Sequence, residues 1–234
     1  MSIKRFYDKA GVAEAEAGFA VALDQRRLRT PAGAPFAAPT RALADVIAEE
    51  WNAQGEHIVP ASMPLTQLGF AAIDFTAKGR EERAAYVASF VETDLCCHRA
   101  ETPERLIARQ GEHWDPLVAH AHERFGAAPP VVTGILAADS DPVLLQAVRD
   151  AALGLDDFRL TVLAQAAGLA GSALIAFAML DRRIDGAEAF AAAALDELWS
   201  QETWGEDAEA RVRLDRQRAE FDNLHRFICA LEAP

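Results

Sequence analysis

The most apolar stretch of the chain runs from Leu160 to Leu180, LTVLAQAAGLAGSALIAFAML. A helix that crosses a membrane needs about 20 predominantly apolar residues, so this stretch has sufficient length. Its many alanines and glycines, however, contribute little transfer free energy compared with leucine or phenylalanine. Acidic residues also flank both ends, at Asp156 and at Asp181. The stretch therefore predicts a helix buried at the centre of a helical domain, in which Gly168 and Gly171 allow neighbouring helices to approach closely.

The composition indicates a helix-rich globular protein. The chain has 234 residues, of which 51% are hydrophobic and 25% charged, which is enough for a sizeable core. Its formal net charge of −13 argues against nonspecific binding to nucleic acid, because the phosphate backbone would repel it. The cysteines, Cys96, Cys97 and Cys229, are odd in number and two are adjacent, which fits a reducing compartment. The start of the chain has no apolar signal core, so we expect a cytoplasmic protein.

The first forty residues have the pattern of β-structure. Apolar residues and β-formers alternate in Gly18–Leu23 (GFAVAL), and a second short run follows at 26–30, which predicts a hairpin that turns at Asp24-Gln25. Gln25 is unusual there, since tight hairpin turns commonly have glycine where φ is positive. From Thr40 the apolar spacing becomes helical, which predicts a capped helix over residues 41–54.

Helical patterns dominate the rest of the chain, with two interruptions. Asp115-Pro116 is a helix-start signal, so residues 103–113 and 116–125 are predicted to form separate helices. Residues 129–136 (PPVVTGIL) form a β-branched island among the helices. Because a lone strand cannot satisfy its own backbone hydrogen bonds, we expect a strand near 130–136 to add to the N-terminal sheet.

These patterns predict an α+β fold with two domains. We expect a small N-terminal α/β domain with a short antiparallel sheet over residues 1–78. A larger, all-α helical domain is expected over residues 79–234, and the strand near 130–136 would join the sheet of the first domain.

The sequence contains no familiar motif for nucleotide binding or covalent catalysis. It has no GxxxxGKS/T segment, no GxGxxG after a strand and no GxSxG elbow. Cys96-Cys97-His98 comes nearest to a metal cluster, but structural zinc sites usually separate paired ligands by two to four residues. Paired carboxylates such as Glu49 and Glu50 are numerous and cannot be ranked as acid–base pairs without distances. We therefore expect no catalytic residue, no metal and no other cofactor.

The most unusual local sequence is Trp199–Arg211, WSQETWGEDAEAR, in which two tryptophans and four acids surround Gly205. One interpretation is that the acids complement the dipole of the helix that follows, while the tryptophans anchor core packing. The other is a docking surface, because aromatic anchors flanked by acids suit a basic partner. Composition alone favours the first interpretation.

Eight short segments occur in an order and spacing that resemble one protein family. They are KRFY (4–7), LRTP (28–31), EEWNAQ (49–54), MPLTQL (63–68), ETDL (92–95), WDP (114–116), GSALIAFA (171–178) and ETWGEDAEA (202–210). Together they resemble the Atp-twelve family, the assembly chaperones that handle the alpha subunit of the ATP synthase catalytic head. The resemblance extends over nearly the whole chain, and the ordered set of motifs is specific although each motif alone is weak.

The resemblance implies a chaperone and not an enzyme. A family member would bind the free alpha subunit and shield the surface that later meets the beta subunit, without hydrolysing ATP and without a cofactor. The missing transit peptide suits a bacterial relative, and we expect a monomer that neither enters a membrane nor binds nucleic acid. The same resemblance implies a small N-terminal α/β domain joined to a helical C-terminal domain.

The resemblance also implies where the partner binds. The family's acidic site falls in WGEDAEA, and the partner-binding candidates are Glu202, Trp204, Glu206, Asp207 and Glu209. Trp51 matches a family position that we interpret as structural. Two departures are notable: Gln25 stands where the family usually has the hairpin glycine, and Cys96-Cys97-His98 replaces a more apolar and aromatic stretch.

Two other functions remain open at the level of the sequence. A small-molecule enzyme that uses a carboxylate pair would need a deep pocket with convergent acids and shifted pKa values. A membrane-associated assembly factor would span the bilayer at Leu160–Leu180.

Overall fold

The computed structural model of the protein describes residues 3–134, 141–205 and 207–232. Internal contacts divide the chain into two compact units. The first contains the chain up to Arg80, residues 156–162 and the chain from Arg226 onwards, and the second contains residues 81–155 and 163–225. The first unit is therefore discontinuous in sequence. The predicted division into two domains, residues 1–78 and 79–234, stays a prediction.

The first unit combines short antiparallel sheets with helices. Its elements are strands β1 (Ile3–Lys4), β2 (Ala10–Ala15), β3 (Gly18–Leu23), β4 (Arg26–Arg27) and β5 (His57–Ile58), and helices α1 (Arg41–Asn52) and α2 (Pro64–Asp74). The strands β2, β3 and β4 form one antiparallel sheet in sequence order, and β1 pairs antiparallel with β5. The predicted α+β class, with a short antiparallel sheet near the N-terminus, is confirmed.

The hairpin predicted across Asp24-Gln25 is present, with Leu23 opposite Arg26. In this turn the residue with positive φ is Asp24 (54°). Gln25 does not have a positive φ, so no glycine is needed at position 25. Aspartate tolerates this conformation better than most residues. Its carboxylate also accepts hydrogen bonds from the backbone amides of Asp8 (3.1 Å) and Lys9 (2.9 Å). The side chain of Asp24 thus stabilises a turn that usually relies on glycine.

Helix α1 begins and packs as its sequence pattern predicts. The Thr40 hydroxyl accepts a hydrogen bond from the amide of Leu43, which satisfies one of the free donors at the start of the helix. Leu43, Ile47 and Trp51 are buried on one face, and the helix packs against β2 and β3. This packing gives the first unit its apolar core.

The rest of the chain is mainly helical. Its elements are α3 (Arg80–Ser89), β6 (His98–Arg99), α4 (Glu104–Phe125), β7 (Val132–Thr133), α5 (Pro142–Leu153), α6 (Asp157–Ala170), α7 (Ala173–Leu180), α8 (Gly186–Ala193), α9 (Leu195–Trp204) and α10 (Ala208–Glu232). Short 3-10 turns connect several of them. The first turns of α6 and the last turns of α10 belong to the first unit, and the remaining parts of both helices to the second.

The apolar stretch forms two helices, whereas the sequence predicted one. Helix α6 ends at Ala170, Gly171 has a φ of +64°, and the Ser172 hydroxyl caps α7 by accepting from the amide of Ile175. All eight residues of α7 are buried, so this half of the stretch is the core helix of the second unit. On α7, Phe177 stacks edge-on against Phe125 of α4 at 5.1 Å between centroids.

The two glycines of this stretch differ in their roles. A Cβ atom on Gly168 would lie 2.6 Å from the Tyr86 hydroxyl, so the absence of a side chain here leaves room for the tyrosine. No atom lies within 4 Å of a Cβ built on Gly171. The expectation of close packing at Gly171 is therefore wrong, and its glycine is explained by the positive φ of the helix break.

The short strand β7 has a different partner from the predicted one. Val132 and Thr133 pair in parallel with His98 and Arg99 in the second unit, and not with the N-terminal sheet. The amide of Gly134 continues this pairing by donating to the Arg99 carbonyl at 2.9 Å. The backbone needed a partner, as predicted, but a nearby extended segment supplied it. Residues 130–131, at the start of the predicted strand, are not in a strand, and residues 135–136 lie outside the described residues.

Helix α4 is continuous through Pro116, although the sequence predicted a break there. An internal proline removes one helix hydrogen bond and costs about 3 kcal/mol. Trp114 and Leu117, on either side of it, are both buried, and their packing keeps the two halves in one helix. The side chain of Asp115 binds Arg99 at 2.8 Å and does not cap a new helix.

Across residues 3–134, 141–205 and 207–232, no helix combines the length and apolar character needed to cross a membrane. The break at Gly171 divides the one stretch whose sequence raised that possibility.

Candidate functional site

Buried hydrogen bonds join several of the family-like segments in pairs. In the first unit, Glu50 of EEWNAQ accepts from the amides of Leu65 (2.8 Å) and Thr66 (2.7 Å). It also accepts from the Thr66 hydroxyl at 2.6 Å. These amides belong to the first turn of α2, within MPLTQL, so Glu50 caps that helix with a charge that favours its dipole. The pairing of the two segments is structural.

In the second unit, Asp94 of ETDL caps the start of α7. Its buried carboxylate accepts from the Ser172 hydroxyl (2.6 Å), the Leu174 amide (3.1 Å) and the Cys96 amide (3.1 Å). Burial raises the pKa of the Asp94 carboxyl above its ordinary value, and the hydrogen bonds that the carboxyl accepts offset only part of this increase. Asp94 thus connects ETDL to GSALIAFA, and its oxygens are already used by the fold.

The tryptophans of two other family-like segments, Trp51 and Trp114, are buried. Trp51 is 8% exposed, and its carbonyl accepts a 2.6 Å hydrogen bond from the Tyr7 hydroxyl of KRFY. Trp114 of WDP is fully buried, and its indole donates to the Ala192 carbonyl at 2.9 Å. Packing in the interior accounts for the burial of both tryptophans, and the structural role expected for Trp51 stays a prediction.

The segment ETWGEDAEA is different, because most of its side chains are exposed. We use the name Trp204 corner for Trp204, Gly205, Asp207 and Glu209, where α9 ends and α10 begins. The side chain of Trp204 is 85% exposed, and Asp207 and Glu209 are exposed as well. Asp207 accepts from the Ala210 amide at 3.2 Å near the start of α10, and Gly205 has a φ of +99°. Glu206, the remaining candidate, lies outside the described residues.

Glu202 lies just before this corner and is already paired. Its two carboxylate oxygens accept from the two terminal nitrogens of Arg109 on α4, at 2.6 Å and 3.0 Å. The Arg109 guanidinium, chiefly through these hydrogen bonds, holds the pKa of Glu202 below its usual value. The Arg109 guanidinium also lies 6.0 Å from the ring centroid of Trp199. Of the described candidates, Glu202 is thus bound within the chain, whereas Trp204, Asp207 and Glu209 face solvent.

Arg109 is the residue of this site that the sequence did not reveal. It is 93 positions away from Glu202, and nothing in the local pattern of α4 distinguishes it from the neighbouring arginines. A pairing of this kind becomes visible only in the folded chain.

The segment Cys96-Cys97-His98 shows no arrangement for metal binding. Burial raises the pKa of Cys97 to about 12 and that of Cys96 well above its usual range, so both thiols are protonated at neutral pH. The His98 ring nitrogen Nδ1 lies 3.4 Å from the Gly134 carbonyl oxygen. Across the part of the chain that the structure describes, no group of three or more His, Cys, Asp or Glu residues could hold a metal ion.

A small depression beside this segment contains two carboxylates, Glu92 and Asp94. Its volume is about 10 Å³, far below the 300–1,000 Å³ typical of ligand pockets. Because Asp94 is committed to capping α7, the depression does not offer a free pair of carboxylates for acid–base chemistry. This depression does not support the small-molecule enzyme considered from the sequence.

Comparison with known proteins agrees with these motifs. Residues 4–122 match the family of the ATP12 chaperone protein. Among solved structures, Atp12 from Paracoccus denitrificans is 37% identical, with a TM-score of 0.93 over 98% of this chain and 99% of that chain. A mutant of the same Atp12p, with lysine in place of an aspartate, matches equally well over 98% of both chains. The Atu1473 protein of Agrobacterium tumefaciens is 37% identical, with a TM-score of 0.90 over 98% of this chain and 86% of that chain.

The family match covers half of the chain, and the match to the solved Atp12 structure covers nearly all of it. The buried caps at Glu50 and Asp94 lie in the same segments that resemble the family. This chain therefore belongs to the ATP12 chaperone family, the chaperones of ATP synthase assembly.

Proposed function

We propose that this protein binds the free alpha subunit of the ATP synthase catalytic head and covers its beta-subunit surface until the hexamer forms. Membership of the ATP12 chaperone family supports a role in ATP synthase assembly, and the choice of the alpha subunit follows the resemblance of the motifs. We further propose that the protein acts without catalysis and without a cofactor.

The observation that carries this proposal is the exposure of Trp204. Most large aromatic side chains of the family-like segments are buried or partly buried, whereas Trp204 is 85% exposed. A tryptophan offers roughly 150–250 Å² of surface for burial, and tryptophan is enriched among the residues that dominate binding energies. In the isolated chaperone the apolar surface of Trp204 is in contact with water. A partner that buried this surface would gain binding free energy.

The charges around Trp204 suggest the chemistry of the partner. Asp207 and Glu209 are exposed close to Trp204 in sequence, and the whole chain has a net charge of −13. An acidic surface with one aromatic anchor suits a partner that has an apolar pocket within a basic rim. Charge complementarity would mainly accelerate association, and the anchor would mainly slow dissociation.

A chaperone of this kind needs only binding. An unassembled subunit exposes the apolar surface of its future interface, and such patches promote aggregation. A protein that binds this surface lowers the free concentration of the exposed subunit by mass action. The beta subunit can then displace the chaperone if its own interface is larger or more favourable.

A binding experiment with matched variants tests this proposal. Trp204→Ala, Asp207→Lys and Glu209→Lys should each weaken retention of purified alpha subunit in a pull-down. Val143→Ala removes another exposed apolar side chain (75% exposed), and Glu81→Lys reverses another exposed charge of the same unit. Both control variants should bind like the unmodified protein. Binding that is unaffected by all three changes at the Trp204 corner would exclude this surface as the docking site.

A further inference from the structure

We propose that Glu202 and Arg109 are positioning residues: their ion pair holds the end of α9 so that Trp204 is presented for docking, and Glu202 itself does not contact the partner. This inference rests on the proposed function, because it assigns separate tasks to neighbouring acids of the same site. It also changes the role that the sequence suggested for Glu202.

Helix α4 holds α8 and α9 through a series of side-chain hydrogen bonds. Trp114 donates to the Ala192 carbonyl at 2.9 Å, where α8 ends. Gln110 donates to the Asp196 carboxylate at 2.8 Å, near the start of α9. Arg109 then donates to Glu202 near the end of α9. From Trp114 back to Arg109 along α4, the donors bind acceptors that lie progressively further along α8 and α9. Helix α9 is therefore held at both of its ends.

Apolar packing does little to hold the far end of α9. Within α9, only Leu195, at its start, is buried. Trp199 is partly buried, and the guanidinium of Arg109 lies near its ring. Two residues beyond Glu202 comes Trp204, the last residue of the helix. The direction in which Trp204 points therefore depends on the Arg109–Glu202 pair more than on the core.

The geometry of the pair leaves Glu202 little capacity for a partner. Both of its oxygens are engaged by Arg109, in the two-bond arrangement that is the strongest between arginine and a carboxylate. A basic side chain of the partner would have to share these oxygens with Arg109, whose positive charge already offsets that of Glu202. Among the described acids of the Trp204 corner, Asp207 and Glu209 are exposed, and they remain as the acids that face the partner.

A charge exchange separates positioning from direct contact. Glu202→Arg alone sets two cations against each other, and Arg109→Glu alone sets two anions, so each should weaken binding of the alpha subunit by about tenfold or more. The double variant restores the pair with opposite polarity and should return the dissociation constant to within about threefold of the unmodified protein. If the double variant binds as weakly as Glu202→Arg, Glu202 contacts the partner directly. Unchanged binding by Glu202→Arg would equally overturn the inference.

A second measurement keeps this test independent of the partner. Hydrogen–deuterium exchange of residues 198–204 should become faster in each single variant and return to the original rate in the double variant. Glu81→Arg, at the exposed Arg149–Glu81 pair (2.7 Å), is the matched control and should leave exchange in α9 unchanged. If the unmodified protein fails to bind the alpha subunit, the proposed function fails, and exchange still decides whether the pair holds α9. Equal exchange in all variants would refute the positioning role.

Discussion

The carboxylate of Asp94 accepts a hydrogen bond of 2.6 Å from the hydroxyl of Ser172, across 78 residues of sequence. The same carboxylate accepts from the amide of Leu174, so one buried acid stabilises the break that divides the apolar stretch into α6 and α7. The most apolar of the described helices therefore begins on an acidic side chain from a distant segment. In this family member, two of the recognisable motifs meet at that point.

Removal of Asp94 should destabilise the second unit strongly. Asp94→Ala leaves the Ser172 hydroxyl and the amides of Leu174 and Cys96 without their acceptor in the interior. Each buried donor without a partner costs about 1–3 kcal/mol, so we expect a loss of at least about 3 kcal/mol. Urea unfolding followed by circular dichroism measures it. Asp94→Asn keeps the shape and one acceptor and should lose less; equal stability of Asp94→Ala and the unmodified protein would contradict this role.

The adjacent acids Glu49 and Glu50 should differ sharply. Glu50 is buried and caps α2, whereas the side chain of Glu49 is exposed. Glu50→Ala should lower the free energy of unfolding by about 2–4 kcal/mol, since it leaves buried donors of Leu65 and Thr66 unsatisfied. Glu49→Ala should change it by less than about 0.5 kcal/mol. Thermal or urea unfolding of both variants measures the difference. Similar losses of unfolding free energy in Glu50→Ala and Glu49→Ala would argue against the cap.

The cysteines should react at very different rates. Cys96 and Cys97 are buried with raised pKa values, that of Cys97 to about 12, so almost no thiolate is present at pH 8. Cys229 is only partly buried. A thiol reagent such as DTNB should therefore modify Cys229 first in the folded protein, and all three cysteines after unfolding. Mass spectrometry identifies the modified residue, and rapid labelling of Cys96 or Cys97 would show that their environment is different.

The Arg109–Glu202 pair should respond to acid in a defined direction. Because the pKa of Glu202 is lower in the folded state than its ordinary value of 4.5, the pair stabilises the fold above that ordinary value. The stabilisation is lost as the pH falls through the lower, folded-state pKa. A carbon-detected NMR titration should give Glu202 a midpoint below 4.5, and Arg109→Gln should bring the midpoint back towards it. A midpoint unaffected by Arg109→Gln would mean that the pair does not form in solution.

Local patterns predicted the elements that are stabilised locally. The spacing of Leu43, Ile47 and Trp51 and the cap at Thr40 were sufficient for α1, because each signal lies within the helix itself. The hairpin of β3 and β4 was predicted for the same reason, although Asp24 supplied the unusual backbone conformation.

Features that depend on distant residues were not predictable. The break at Gly171 depends on Asp94, and the continuity of α4 depends on the burial of Trp114 beside Pro116. The partner of β7 was assigned wrongly, since any segment with free backbone groups could have paired with it. At the candidate site, the sequence indicated an acidic surface with tryptophan but not which acid was already bound by arginine.

The central claim is tested most directly by calorimetric titration of this protein with purified alpha subunit, once in free form and once within the assembled catalytic hexamer. The account predicts saturable binding to the free subunit and none to the hexamer, because the shared surface is then covered by the beta subunit. Binding to the free subunit should also weaken with Trp204→Ala. No binding to the free subunit, or equal binding to the hexamer, would contradict the account.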